Sequence, residues 1–144
     1  MSSLPEEVLF DASALVALSR RERGSDQLKM IVDNVKVRIA STTSPEALSS
    51  LRRKGSTRTR DELLEDWRRL GIKVEPVTED DGEEAAYLLE LSVRQFGDDP
   101  RKGGLSLGDA LCLAVGKRLG IPVVASDGSW EIFEARGITV LPFR

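Results

Sequence analysis

The chain has 144 residues, 40% hydrophobic and 31% charged, with a formal net charge of −3. These values predict one globular domain over residues 1–144, able to bury roughly 70% of its unfolded surface, and exclude a disordered or collagen-like chain. No apolar run approaches the ~20 residues of a membrane span, MSSLPEEVLF lacks the flanks of a secretory signal, and Cys112 is the one cysteine, so the expected address is the cytoplasm, with no intramolecular disulfide.

In chain order, Val8-Leu9-Phe10 is a short apolar run that Asp11 ends. Ala12 to Leu18 then reads as a helix with Ala14, Leu15 and Leu18 on one side, and Asp26 to Val32 as a second. Lys36 to Ala40 alternates and is rich in β-branched residues, the pattern of a strand. Ser44-Pro45 places a cap residue before a proline suited to a first helical turn, opening a helix that runs to about Lys54 and stops at Gly55. Thr59 and Glu62 have the spacing of a capping box, for a helix carrying Leu63, Leu64, Trp67 and Leu70 that Gly71 terminates. Leu48, Leu51 and Trp67 either fill the core or pack between subunits.

Ile72 to Val77 is the next expected strand, and Thr78 with Asp81 opens a long helix bearing Ala85, Leu88, Leu89 and Val93. Residues 97–104, GDDPRKGG, form the clearest loop. A helix from about Ser106 to Leu119, a buried strand from Ile121 to Ala125, a short helix around Trp130 to Ala135 and a strand from Ile138 to Leu141 complete the chain. No hairpin-length turn joins two strands. The expected fold is therefore α/β, a central and mainly parallel sheet between two helical layers.

With no histidine in the chain, Ser-His-Asp and Cys-His triads, His-ligated zinc and paired-His ribonuclease chemistry are excluded from its own side chains. Catalysis must use carboxylates, hydroxyls, Lys or Arg, or a metal held by oxygen. Four acids stand out. Asp11 and Asp127 end predicted strands, at the edge where open parallel sheets bind ligands. Glu46, in the first turn of the helix after Lys36–Ala40, can reach the same edge. Asp109 lies on a helix that is apolar almost all round, between Cys112 and Leu113 in projection, where a carboxylate is costly unless paired.

Each acid also has a purely structural reading. Asp11 and Asp127 can cap the helix that follows; Glu46 can close a capping box with Thr43, and Asp109 one with Ser106. It is their joint position at one sheet edge that points to a site. Four clustered carboxylates raise one another's pKa values or bind cations, and oxygen-only donors select Mg2+ or Mn2+. Such a site suits phosphodiester hydrolysis. Between residues 52 and 60, Arg52, Arg53, Lys54, Arg58 and Arg60 occur with no acid; they read either as a solvated helix end or as a phosphate-facing rim.

Val8-Leu9-Phe10-Asp11-Ala12-Ser13-Ala14-Leu15, the block LSLGDALCLA at residues 105–114 and IPVVASD at 121–127, with Trp130 three residues on, carry a family resemblance. Over essentially its whole length the chain resembles a PIN-domain ribonuclease, most closely the VapC toxins of toxin–antitoxin pairs. The resemblance implies a three-layer PIN-like domain in which Asp11, Glu46, Asp109 and Asp127 form the acidic quartet binding Mg2+ or Mn2+, with Asp11 and Asp109 as principal ligands. It also implies an RNA substrate, a homodimer, and a cognate VapB-like antitoxin whose C-terminal segment occupies the active-site groove. Many relatives carry Thr or Ser two residues before the fourth acid, where this chain has Ala125. Ser126 would face the other way in an extended strand, which leaves Ser13 or a water for the hydroxyl's role.

On this reading a water activated by metal attacks phosphorus, leaving 5′-phosphate and 3′-hydroxyl ends, while the 52–60 cations, with Arg101 and Lys102, hold the RNA backbone. The rival from the same fold is a non-catalytic PIN scaffold that binds RNA or protein. A receiver-like signalling domain would need a Lys after a late strand, where Asp127 stands. A P-loop or dinucleotide-binding domain would need a glycine fingerprint that Gly103-Gly104 does not supply.

Overall fold

A computed structural model describes residues 4–97, 104–126, 133–134 and 136–144. The chain alternates strands and helices: β1 (Glu7–Phe10), α1 (Ala12–Arg20), α2 (Ser25–Asn34), β2 (Lys36–Ala40), α3 (Thr43–Arg53), α4 (Arg60–Arg69), β3 (Lys73–Glu75), α5 (Glu79–Phe96), α6 (Leu107–Leu119), β4 (Val123–Ala125) and β5 (Val140–Pro142). The strands form one sheet in the order β3-β2-β1-β4-β5. Every neighbouring pair is parallel, with Phe10 opposite both Ile39 and Val124. This is the expected α/β architecture.

Two apolar clusters cover the two faces of the sheet, as the two-residue side-chain period of a strand requires. Val8 and Phe10 of β1, Val37 and Ile39 of β2 and Val124 of β4 pack with residues of α1, α2, α3 and α4. Leu9, Ala40, Val123 and Ala125 face the other way, onto α5 and α6. Because both faces are covered there, Val8 to Phe10 of β1 and all of β4 are continuously apolar, whereas β2 alternates with Lys36 and Arg38. Leu51 and Trp67 are buried in the first cluster, with Leu48 packed against it, so these residues fill the core. The Trp67 indole N–H donates to Ser19 Oγ at 2.9 Å, tying α4 to the end of α1.

Helix α6 lies close on the sheet. A β-carbon at Gly116 would come within 2.5 Å of Val123 Cγ2 and 3.7 Å of Leu9 Cδ2, which explains a helix buried nearly all round. Capping boxes close the N-termini of α4 (Thr59, Glu62), α5 (Thr78, Asp81) and α6 (Ser106, Asp109), as their spacing predicts. Helix α3 differs. It begins at Thr43, so Ser44 and Pro45 lie inside its first turn; Thr42 precedes it in αR conformation with no side-chain cap, and Glu46 closes no capping box. Strand β3 is shorter than expected because Pro76, which follows it, has no N–H for the ladder. Of the expected helix at Trp130 to Ala135, residues 130–132 and 135 lie outside the described residues, while Phe133, Glu134 and Arg136 are in 3-10 conformation. Residues 98–103 of the expected loop also lie outside them. Among the described residues, no helix is long and apolar enough to cross a membrane.

Candidate active site

Strand β1 has β2 on one side and β4 on the other, so the chain leaves it in one direction and returns beyond it in the other. Crevices at such switch points, at the carboxyl ends of the strands, are where open α/β sheets bind ligands. Asp11 directly follows β1 there. Its backbone N–H donates to Val124 O at 3.1 Å, which fixes it to the end of β4. It is also the N-cap of α1: Oδ1 accepts from Ala14 N–H at 2.8 Å and from the Ser13 hydroxyl at 2.7 Å. Ser13 Oγ in turn accepts from Ser126 N–H at 3.1 Å. Of the two candidates for the hydroxyl's role, Ser13 is thus in place beside Asp11.

Asp11 is 4% exposed. Burial raises its pKa from 3.8 to about 7; its two hydrogen bonds oppose the rise, and the charges of Asp109 and Glu46 add to it. Glu46, half-buried in the first turn of α3, is also held above the ordinary carboxylate range, by burial first and then by the Asp109 charge, while Arg53 pulls it down. Asp109 closes the α6 capping box, accepting from Ser106 N–H at 3.2 Å while its own N–H donates to Ser106 Oγ at 3.1 Å. Capping and clustering therefore coexist: Asp11 and Asp109 each cap a helix, and those helix starts bring them together with Glu46. Asp127 lies outside the described residues. It follows Ser126, whose N–H is tied to Ser13.

Two neighbours of the acids were not singled out by their own sequence signal. Cys112 is wholly buried beneath them; burial, followed by the charges of Asp11, Asp109 and Glu46, pushes its thiol pKa well above 9.0. A thiol so held stays protonated and is a poor metal ligand. Its i+3 position from Asp109 was the available clue, but a cysteine on an apolar helix reads first as core. The second is Gly108. A β-carbon there would fall on Glu46 Oε2 and lie 2.5 Å from its Cδ. Nearby, Thr42 Oγ1 is buried with no hydrogen-bond partner among the described residues.

The donor set, carboxylates without histidine or an available thiolate, suits a hard divalent cation. Among the described residues, however, no three side chains stand close enough to make a ready-formed cation cage.

The basic segment is less free than its composition implies. Arg58 pairs with Asp66, Arg60 with Asp61 at 2.9 Å, and Lys54 with Glu22 at 3.1 Å. Arg52 and Arg53 instead donate to Ser56 O and Ser49 Oγ and have no direct ion pair among the described residues. A surface cavity of about 880 Å³, lined by residues of both charges such as Arg21, Glu22, Arg23 and Asp66 and by Leu18 and Trp67, includes none of Asp11, Glu46 and Asp109.

Fold and site together define an α/β protein with an acidic cluster at the switch point of a parallel sheet. A PIN domain family model matches residues 8–134, and the chain belongs to the PIN domain family. Comparison with curated proteins returns no match. Among solved structures, it is similar to Mycobacterium tuberculosis VapC20, described as a sarcin–ricin loop cleaving toxin, with a TM-score of 0.66 and 26% identity over 92% of this chain and 96% of that one. VapBC2 from Rickettsia felis, solved with a DNA fragment from its promoter, gives a TM-score of 0.66 at 11% identity, covering 94% and 98%. VapBC-5 from M. tuberculosis, of the VapBC family of toxin–antitoxin systems, gives 0.63 at 16%, covering 96% and 99%. The last two likenesses are of fold.

Proposed function

We propose that this PIN-domain protein is a metal-dependent endoribonuclease of the VapC toxin type, acting as a single unit over residues 1–144 and neutralised by a VapB-like antitoxin. The observation that carries the reading is that the charges of Asp109 and Glu46 act on buried Asp11, and that of Asp109 on Glu46, which sets acids from three different helix starts around one switch-point crevice. Asp11 and Asp109 would be the principal ligands of Mg2+ or Mn2+, with Glu46 and Asp127 completing the set. When bound, such an ion supplies charge neutralisation at the scissile phosphate and a water of lowered pKa. The protein's own contribution is positional. Ser13 and Ala14 hold Oδ1 of Asp11 and Ser106 holds Asp109, while burial disfavours the charge on Asp11, a cost that a bound cation would relieve.

Arg52 and Arg53, at the far end of the helix that bears Glu46, are the leading candidates for RNA backbone contacts; Lys54, Arg58 and Arg60 are secondary because acids already partner them. That similar structures belong to VapBC toxin–antitoxin systems supports the antitoxin partner. A homodimer in the cytoplasm remains the expected working state. End-group analysis of RNA cut by the purified protein tests the chemistry. Products with 5′-phosphate and 3′-hydroxyl termini are expected. Cyclic 2′,3′-phosphate termini would contradict hydrolysis by an activated water, and RNA binding without cleavage would favour the non-catalytic scaffold.

A further inference from the structure

We infer that Gly108 is a positioning residue of the acidic cluster: the space left by its missing β-carbon is the space in which the Glu46 carboxylate lies. The inference rests on the metal-site reading above and adds a residue to it. Gly108 is in the first turn of α6, immediately before Asp109. A β-carbon built on it would coincide with Glu46 Oε2 and sit 2.5 Å from Cδ and 2.7 Å from Oε1. The three nearest atoms all belong to this one carboxylate. The backbone of Gly108 is helical, with no positive φ, so no conformational demand requires glycine here. Helix propensity alone favours alanine by about 1 kcal/mol in a helix interior.

The geometry explains how acids from two helices on opposite faces of the sheet approach each other. Helix α3 packs on the α1 side and α6 on the α5 side, and their starts come together where Glu46 meets Gly108. There the carboxylate of Glu46 lies against the N-terminal turn of α6, where the helix dipole favours an anion. A methyl group at Gly108 removes that seat. Because the displaced group is the end of a flexible side chain, the fold survives while Glu46 swings away from Asp109.

The test is a double-mutant cycle between Gly108→Ala and Glu46→Ala in the full-length protein, read by Mn2+ titration calorimetry and by thermal melts without metal. Gly108→Ala is expected to weaken Mn2+ binding about 10- to 100-fold, the range for residues that orient ligands, while the variant stays folded. In the Glu46→Ala background the same substitution should change Mn2+ affinity by less than about 2-fold, because the group it displaces is gone. The metal-free Tm shift caused by Gly108→Ala should likewise differ between the two backgrounds. Equal effects of Gly108→Ala with and without Glu46, in affinity or in metal-free Tm, would overturn the inference. If Glu46→Ala itself leaves Mn2+ affinity unchanged, the metal-site reading fails at Glu46, and the metal-free cycle still decides the contact.

Discussion

At Asp11 one oxygen accepts the N-cap bond of α1 and the Ser13 hydroxyl, which anchors the side chain, while burial opposes its charge and raises its pKa from 3.8 to about 7. A carboxyl group with a raised folded-state pKa binds protons more readily in the native state than in the unfolded one, so stability falls as pH rises from about 4 to about 7 and stays reduced above. Asparagine keeps the cap and removes the charge. Thermal melts without metal should therefore show Asp11→Asn above wild type at pH 8, with the gap closing toward pH 4.5, while the variant loses cation binding. A variant less stable than wild type at pH 8 would mean that Asp11 is a structural cap alone. Asp11 was legible as both a cap and a site residue because it ends an apolar run. That capping and clustering coexist there was not legible, since burial depends on packing from β4 and α6.

At the level of elements, local signals were read correctly where both partners lie within one turn. The capping boxes at Thr59, Thr78 and Ser106 are of this kind. The start of α3 was misplaced because Thr42, Thr43 and Ser44 are all plausible caps, and tertiary packing of Thr43, 1% exposed, settles the boundary. The basic segment illustrates the same limit: Glu22, which pairs with Lys54, comes from the turn between α1 and α2. The cations should consequently divide in their RNA contribution. Each phosphate contact to single-stranded nucleic acid adds about 0.7 to the slope of log affinity against log salt. Binding assays over a salt series on a cleavage-inactive background should show Arg52→Ala with Arg53→Ala flattening the slope by about 1.4 if each contacts one phosphate. Arg58→Ala with Arg60→Ala should change it less. An unchanged slope in the first pair would remove the α3 terminus from the RNA path.

For the molecule as a whole, alternation of strands and helices made a parallel, three-layer sheet the expected fold, and the order β3-β2-β1-β4-β5 completes that picture. Strand order follows from long-range pairing and has no local signature, yet it is what sets Asp11 between β2 and β4 and draws the starts of α3 and α6 to one edge. Gly108 carries no local signal for the same reason: its neighbour across the crevice is 62 positions earlier in the chain.

The central claim is that these acids hold a hard divalent cation to cut RNA, and a digestion series tests it most directly. Structured RNA is incubated with purified protein in Mg2+, Mn2+ or EDTA, alongside Asp11→Asn and Asp109→Asn. Cleavage that requires metal and disappears in both variants is the predicted result; cleavage that persists in EDTA or in both variants would contradict the account.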